Sequence, residues 1–492
     1  MSENLSVKTR YGTFNGFVDE KGVKNWLGIP FAQPPVGNLR WQAPQPLQPS
    51  DKTFDATKMG FAPIQQGLKI DEFTEDTSGG QQSEDCLTLN IWKRGEGKNK
   101  PVMVWIYGGA FLNGYAQEPA YNGSNFVSAH DVIFVSINYR LNVLGFMNLA
   151  AIDKNFEDSG YLGIKDQIAA LQWIKENISE FGGNPENITV FGESAGSVSI
   201  FLITVAPNTK NLFQKVIGQS GALGIYNTPE ISSQLAEKFM QCSGTKKISD
   251  LIKKSPDELK NIYKKATEDR KTNIMDLLPV CDGKFLPKNP LNAFKDGAAR
   301  RIKFLTGNTA DEWRAFLIGG ENLFKIFRAE PKKLSPAMQR YNEKTPEEIY
   351  KSWLKNREDT EENFIDFVNN VDWRIGQELA AEYQSNFDDV YLYLFSQQSE
   401  NEMLRSCHAL DLSYTFDAPY IDQNYDRNFA KVIRSTWVAF ATNGNPDNEL
   451  IPHWEKYSAD NRQTMELNSK GCVLHKDLNT ENLNSLRYIY ED

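Results

Sequence analysis

Histidine is scarce in this chain: 492 residues contain only four, His130, His408, His453 and His475. No apolar run approaches the ~18 residues of a membrane span, which excludes an embedded helix or anchor. The opening stretch from Met1 to Arg10 has no apolar core of signal-peptide length, so a soluble, non-exported, cytoplasmic protein is expected. Five cysteines stand far apart with no Cys-x-x-Cys pair, which argues against a disulfide framework and against a zinc site. Positive charge is not in excess: the formal net charge of -10 speaks against nucleic-acid partners, whose phosphates demand clustered Lys and Arg. No Pro-rich or Gly/Ser-rich tract, internal repeat or long single-sign charge block divides the chain. A single domain over residues 1–492 is therefore expected.

What is present is a large apolar fraction, 40%, with 12% aromatic residues, enough for a substantial core. Residues 7–17 and 22–29 read as two hairpin strands turning at Asp19-Glu-Lys-Gly22. Val102-Met-Val-Trp-Ile-Tyr107 and Val132-Ile-Phe-Val-Ser-Ile-Asn138 are continuous apolar runs of strand length, as expected for strands covered on both faces. Ile164, Ile168, Leu171, Ile174 and Ile178 recur every three or four residues, the period of a helix, and Gly182-Gly183 stops it. Further strands are expected at residues 215–219, 303–306 and 390–395, separated by long, mostly helical connections. Such alternation predicts an α/β architecture with a mostly parallel sheet. Residues 321–382 read as inserted helices, and Phe429, Val432, Ile433, Trp437 and Phe440 mark another helix, closed by Asn443-Gly-Asn-Pro446.

Asn187-Ile-Thr-Val-Phe-Gly-Glu-Ser-Ala-Gly196 carries the chemistry: a β-branched strand runs into a small-residue turn with Ser194 at its tip. Gly192 and Gly196 lack the Cβ atoms that a sharp strand-to-helix turn would crowd. A helix following Ser194 would aim its N-terminal amides at the serine, where they can stabilise an anion. Acyl transfer needs such donors wherever negative charge develops, and Tyr107-Gly-Gly-Ala-Phe111 is a second source directly after a strand. An isolated G-x-S-x-G is a weak signal. Its weight comes from an acid and a histidine following in the order serine, acid, histidine.

Among the four histidines, His130 precedes a strand start, whereas catalytic groups of open parallel sheets gather at carboxyl ends. His453 and His475 lie among polar residues near the end, while His408 follows the strand at 390–395 by a short connection. For the acid, the strand at 303–306 runs into Gly307-Asn-Thr-Ala-Asp-Glu312, and either Asp311 or Glu312 suits the role.

The chain resembles the type-B carboxylesterase family of α/β-hydrolases, which includes cholinesterases, bile-salt-activated lipase and bacterial p-nitrobenzyl esterases. The motifs are Gly28-Ile-Pro-Phe-Ala-Gln-Pro-Pro-Val-Gly37 with Leu39-Arg-Trp41, Ser83-Glu-Asp-Cys-Leu-Thr-Leu-Asn90, Tyr107-Gly-Gly-Ala-Phe111, Asn138-Tyr-Arg140, residues 191–196, Gln219-Ser-Gly221 and Asp311-Glu312. The resemblance implies an α/β-hydrolase fold and a serine carboxylesterase acting on small-molecule esters of short to medium acyl chains or aryl esters. The alternatives are a lipase on longer chains and a non-catalytic cholinesterase-like binding protein. It implies Ser194 as nucleophile, Glu312 as acid and His408 as base, with the amides of Gly109, Ala110 and Ala195 as oxyanion hole. Glu193 and Ser220 match supporting residues, and Arg40 with Glu84 and Arg140 with Asp166 match structural salt bridges. Phe111 and Leu112, beside the oxyanion loop, fall on the acyl side. The chemistry calls for no metal and no organic cofactor.

The chain departs from the family at three places. Trp313 follows Glu312 where members commonly carry glycine. Cys86 lacks the upstream partner that secreted relatives bond to it, which implies a free thiol. Between Gln65 and Ser83 stands no tryptophan and only Phe73, which disfavours the choline recognition of cholinesterases.

Overall fold

A computed structural model describes residues 5–65, 80–268, 276–317, 325, 335–341, 343–355 and 357–491. The strands begin with β1 (Ser6–Thr9), β2 (Gly12–Asn15), β3 (Phe17–Val18), β4 (Val23–Pro30) and β5 (Thr53–Asp55). Next come β6 (Thr88–Arg94), β7 (Lys100–Ile106), β8 (Ile133–Ile137), β9 (Gly183–Glu193) and β10 (Lys215–Gln219). The chain ends with β11 (Lys303–Thr309), β12 (Val390–Phe395), β13 (Gln463–Leu467) and β14 (Val473–Lys476).

Among the described residues, eleven strands form one sheet in the order β14-β13-β12-β11-β10-β9-β7-β8-β6-β4-β3. From β13 across to β8 every pairing is parallel. The antiparallel strands β6, β4 and β3 extend one edge and β14 closes the other. The expected mostly parallel sheet is thus observed. Its centre is covered on both faces: every residue of β8 and β10 is buried, including Ser136, Lys215 and Gln219 among the apolar ones. β1, β2 and β5 make a separate three-stranded sheet.

The first hairpin differs from expectation. Residues 7–17 are not one strand, because the chain reverses between β1 and β2, which pair with each other. The turn at Asp19 does form, and the Asp19 carboxylate accepts the amides of Lys21 and Val23 at 2.9 Å. The helical period at 164–178 becomes the helix Leu162–Asn177. In the stretch expected as inserted helices, residues 321–324, 326–334, 342 and 356 lie outside the described residues. The remainder carries the helices Pro336–Arg340, Pro346–Leu354, Glu361–Asn369 and Ile375–Gln384.

Aromatic packing fastens the helices to the sheet. Tyr391 and Tyr393 of β12 meet Phe440 and Trp437 of the helix Arg427–Asn443, and Phe304 of β11 stacks on Phe201 of the helix Ala195–Val205. The two salt bridges implied by resemblance are present. Arg140 grips Asp166 through Nε at 2.8 Å and Nη2 at 2.7 Å, and Arg40 grips Glu84 through Nε at 2.7 Å and Nη2 at 2.5 Å. Both arginines also reach backbone carbonyls, Gln42 O for Arg140 and Ile252 O for Arg40, so each fork joins distant segments. The five cysteines are unpaired, and burial pushes the Cys86 thiol well above its ordinary range. No helix among the described residues is long and apolar enough to cross a membrane.

Candidate active site

Five neighbouring parallel strands, β7, β9, β10, β11 and β12, deliver their carboxyl ends to one edge of the sheet, where a doubly wound fold places its ligands. Ser194 leaves the end of β9 with φ +54° and ψ -125°, in the left-handed half of backbone space, and starts the helix Ala195–Val205. A non-glycine residue there is strained, and the surroundings hold it. The Ser194 amide donates to Gln219 O at 2.9 Å and its carbonyl accepts from Val198 N at 2.9 Å. A Cβ on Gly196 would fall 2.0 Å from Ile106 O, and one on Gly192 would fall 2.5 Å from the same oxygen. Both glycines are therefore dictated by contact with the exit of β7.

That exit carries the second half of the site. A Cβ on Gly108 would lie 2.9 Å from Ser194 Cβ, so the loop after β7 rests directly against the serine. Gly109, Ala110 and Phe111 take φ values of +103°, +54° and +62°. The Gly109 carbonyl turns inward to accept from Leu112 N at 2.9 Å and Asn113 N at 3.1 Å. Among the described residues, the amides of Gly109, Ala110 and Ala195 donate to no protein group. Three unsatisfied donors thus flank a half-buried serine.

His408 follows β12 and Glu312 follows β11. The imidazole Nδ1 lies 2.5 Å from Glu312 Oε2, while Glu312 Oε1 accepts Thr309 N at 2.8 Å. Glu312 is 1% exposed and His408 7%, so their interaction is sheltered from water. The neighbouring Asp311 points elsewhere: its Oδ2 accepts Ser406 N at 3.3 Å and its Oδ1 lies 3.8 Å from Arg405 Nη1. The other histidines are remote from this constellation. His130 caps the helix Gly123–Ala129, His453 pairs with Asp447 and His475 pairs with Glu466.

His408 Nε2 lies 3.1 Å from Glu193 Oε1, in the residue preceding Ser194. No hydrogen bond joins the Ser194 hydroxyl to the imidazole among the described residues, and such bonds commonly tighten only around substrate. Burial pushes the Glu193 carboxyl up to about 8, partly countered by His408. For His408 burial disfavours the charged form, but the carboxylates of Glu193 and Glu312 outweigh it and raise the group to about 9. Asp411, three residues past His408, is raised to about 6 by burial and accepts Gln219 Nε2 at 2.7 Å. Among the described residues, Ser220 Oγ and Asp411 Oδ1 are buried without a hydrogen-bond partner, while Glu193 Oε1 faces His408 Nε2.

The two residues expected on the acyl side separate. Phe111 is fully buried against the Phe146 ring at 4.8 Å, whereas Leu112 is partly exposed. The segment with Phe73 lies outside the described residues apart from its two ends. Sequence reasoning missed Asp411, whose only signal is helical spacing from His408, and two rings beside the imidazole, Phe316 and Trp373. No group of His, Cys, Asp and Glu suited to a metal ion occurs among the described residues.

The model of the carboxylesterase family matches residues 3–486, essentially the whole of this framework. The chain belongs to the carboxylesterase family. The esterase is 35% identical to the para-nitrobenzyl esterase of Bacillus subtilis, over 94% of this chain and 95% of that protein. It is 32% identical to the acetylcholinesterase of Bungarus fasciatus, over 97% of this chain and 85% of that one. A solved PNB esterase superposes with a TM-score of 0.86 at 32% identity, covering 98% of this chain and 100% of the other. The esterase therefore has the α/β-hydrolase fold and is a carboxylic ester hydrolase; a catalytic triad and an oxyanion hole are typical of its family.

Proposed function

We propose that the esterase works through Ser194 by way of a covalent acyl-enzyme. The observation that carries this reading is the sheltered Glu312–His408 contact at 2.5 Å beside a serine held at positive φ. His408 in its neutral form takes the hydroxyl proton as Ser194 Oγ bonds to the ester carbonyl carbon. Glu312 fixes the Nδ1–H tautomer and stabilises the imidazolium. The carbonyl oxygen becomes an oxyanion facing the free amides of Gly109, Ala110 and Ala195, where loss of one such donor typically costs ~3 kcal/mol. Collapse breaks the bond to the alkoxy oxygen, which leaves with the proton from His408. Water then attacks the acyl-enzyme by the same route, giving the acid and restoring Ser194.

Glu193 governs whether the base is ready. Its Oε1 lies 3.1 Å from His408 Nε2, where a negative charge favours the imidazolium over the neutral base. Ser220 is buried just past β10, and its amide donates to Gly307 O at 2.8 Å. For substrate, we infer esters of short to medium acyl chains or aryl esters. Likeness to a para-nitrobenzyl esterase supports this, as does the partly exposed Leu112 beside the oxyanion loop. Five unpaired cysteines fit a reducing, cytoplasmic setting.

Hydrolysis of p-nitrophenyl esters from acetate to palmitate tests the substrate class. Highest kcat/KM on the short and medium chains is expected. A rate that climbs to palmitate and rises again on emulsified substrate would replace this reading with a long-chain lipase.

A further inference from the structure

Trp313, the bulky residue that stands after Glu312, has no role in the reading above. It connects the loop of the acid to an aromatic surface over the base. The indole of Trp373 lies 4.4 Å from the His408 ring with planes tilted by 40°, and Phe316 lies 5.3 Å from it. Phe316 and Trp373 are nearly parallel, 7° apart at 6.4 Å, so the imidazole meets two similarly oriented rings.

Trp373 does not sit on a regular helix. It belongs to Asn370–Arg374, one π-helical turn between the helices Glu361–Asn369 and Ile375–Gln384. Such turns re-aim the side chains they carry and recur at functional sites. Among the described residues the Trp373 indole N–H has no hydrogen-bond partner, so packing and the turn place the ring. The turn and the residue before it are fastened to the acid's loop at three points. Trp313 N donates to Asn369 Oδ1 at 2.9 Å, Trp313 Nε1 donates to Asp372 Oδ2 at 3.0 Å, and Arg374 Nη2 donates to Ala310 O at 3.2 Å. Glu312 and Trp373 thus approach His408 from two pieces of backbone that Trp313 locks together.

We propose that Trp373 is a positioning residue for the His408 base, kept in register with Glu312 by Trp313 through Asp372. The negative face of the indole favours imidazolium over imidazole, which is the charge that develops as Ser194 gives up its proton. The charged groups facing His408 are Glu193 from the end of β9, Glu312 from the turn after β11 and Asp411 from its own helix. On the π turn, Asp372 is engaged by Trp313 and Arg374 by a carbonyl, so the ring is the turn's contribution to the imidazole. This inference rests on His408 being the general base.

The test compares Trp373→Phe, Trp373→Leu and Trp313→Phe with wild type for kcat, KM, the acid limb of the pH profile and Tm. Trp373→Leu is expected to lower kcat about tenfold with KM within about twofold. It should also move the acid limb down by about half a pH unit, and Trp373→Phe should restore most of both. If Trp373→Leu does not fold, Trp313→Phe decides, because it keeps an aromatic ring against Phe316 while removing the N–H to Asp372. A fall in kcat of about threefold with the same direction of pH shift is expected there. An unmoved acid limb in every folded variant, or equal losses in Trp373→Phe and Trp373→Leu, would overturn the role. Ser194→Ala run alongside separates the two levels: retained turnover in that variant refutes the parent reading, whatever Trp373 does.

Discussion

A histidine serves as base only while it is neutral, so the three carboxyl groups around His408 determine the pH at which the enzyme works. Burial alone would depress the imidazole, yet Glu193 and Glu312 raise it to about 9. The active, neutral form is consequently lost at a higher pH than for an ordinary histidine near 6.5. Activity should fall on acidification with a midpoint above ~6.5, and Glu193→Gln, which removes one of the two anions, should move that midpoint down. A kcat/KM profile flat to pH ~4.5 would exclude His408 as base. At this scale much was legible in the sequence. With four histidines and an ordered chain of motifs, His408 could be singled out by position. Trp373 could not, because an aromatic residue at helical spacing reads as core, and it is indeed 1% exposed. Its contact with the imidazole depends on a π turn that no residue pattern announces.

At the scale of elements, the exit of β11 sends two adjacent carboxylates to different partners. Asp311 and Glu312 are adjacent acids, but the turn Glu312–Phe316 swings one under His408 and leaves the other on Ser406 and Arg405. Glu312→Gln should therefore cost about a thousandfold or more in kcat by losing the anion that holds the tautomer. Asp311→Asn should stay within about threefold, as expected of a partly exposed loop contact. Matched kinetics of the two variants check this, and the reverse ranking would assign the wrong acid. Long apolar strands such as β7 and β8 were readable because both faces are covered and the residue pattern is uniform. The strands β6, β13 and β14 went unread: β6 mixes Asn90 and Lys93 into a buried run, and the other two are short and partly polar. The reversal between β1 and β2 was missed for a related reason. Arg10-Tyr11 carries no strong turn signal, and the glycine comes only at Gly12.

At the scale of the whole molecule, a site of few atoms is assembled from segments more than two hundred residues apart in sequence. Parallel strands allow this because each returns its carboxyl end to the same edge, so Gly109, Ser194, Ser220, Glu312 and His408 meet although no two share an element. The order of these groups along the chain was visible in the sequence; their convergence, and the carboxyl groups of Glu193 and Asp411 that face His408, required the fold. The central claim is that Ser194 becomes acylated, and peptide mapping after treatment with a fluorophosphonate probe tests it most directly, with wild type and Ser194→Ala assayed in parallel for ester hydrolysis. One adduct on the Ser194 peptide with loss of turnover, and neither adduct nor turnover in Ser194→Ala, is the predicted result; an adduct on another residue, or hydrolysis that survives in a folded Ser194→Ala, would contradict the account.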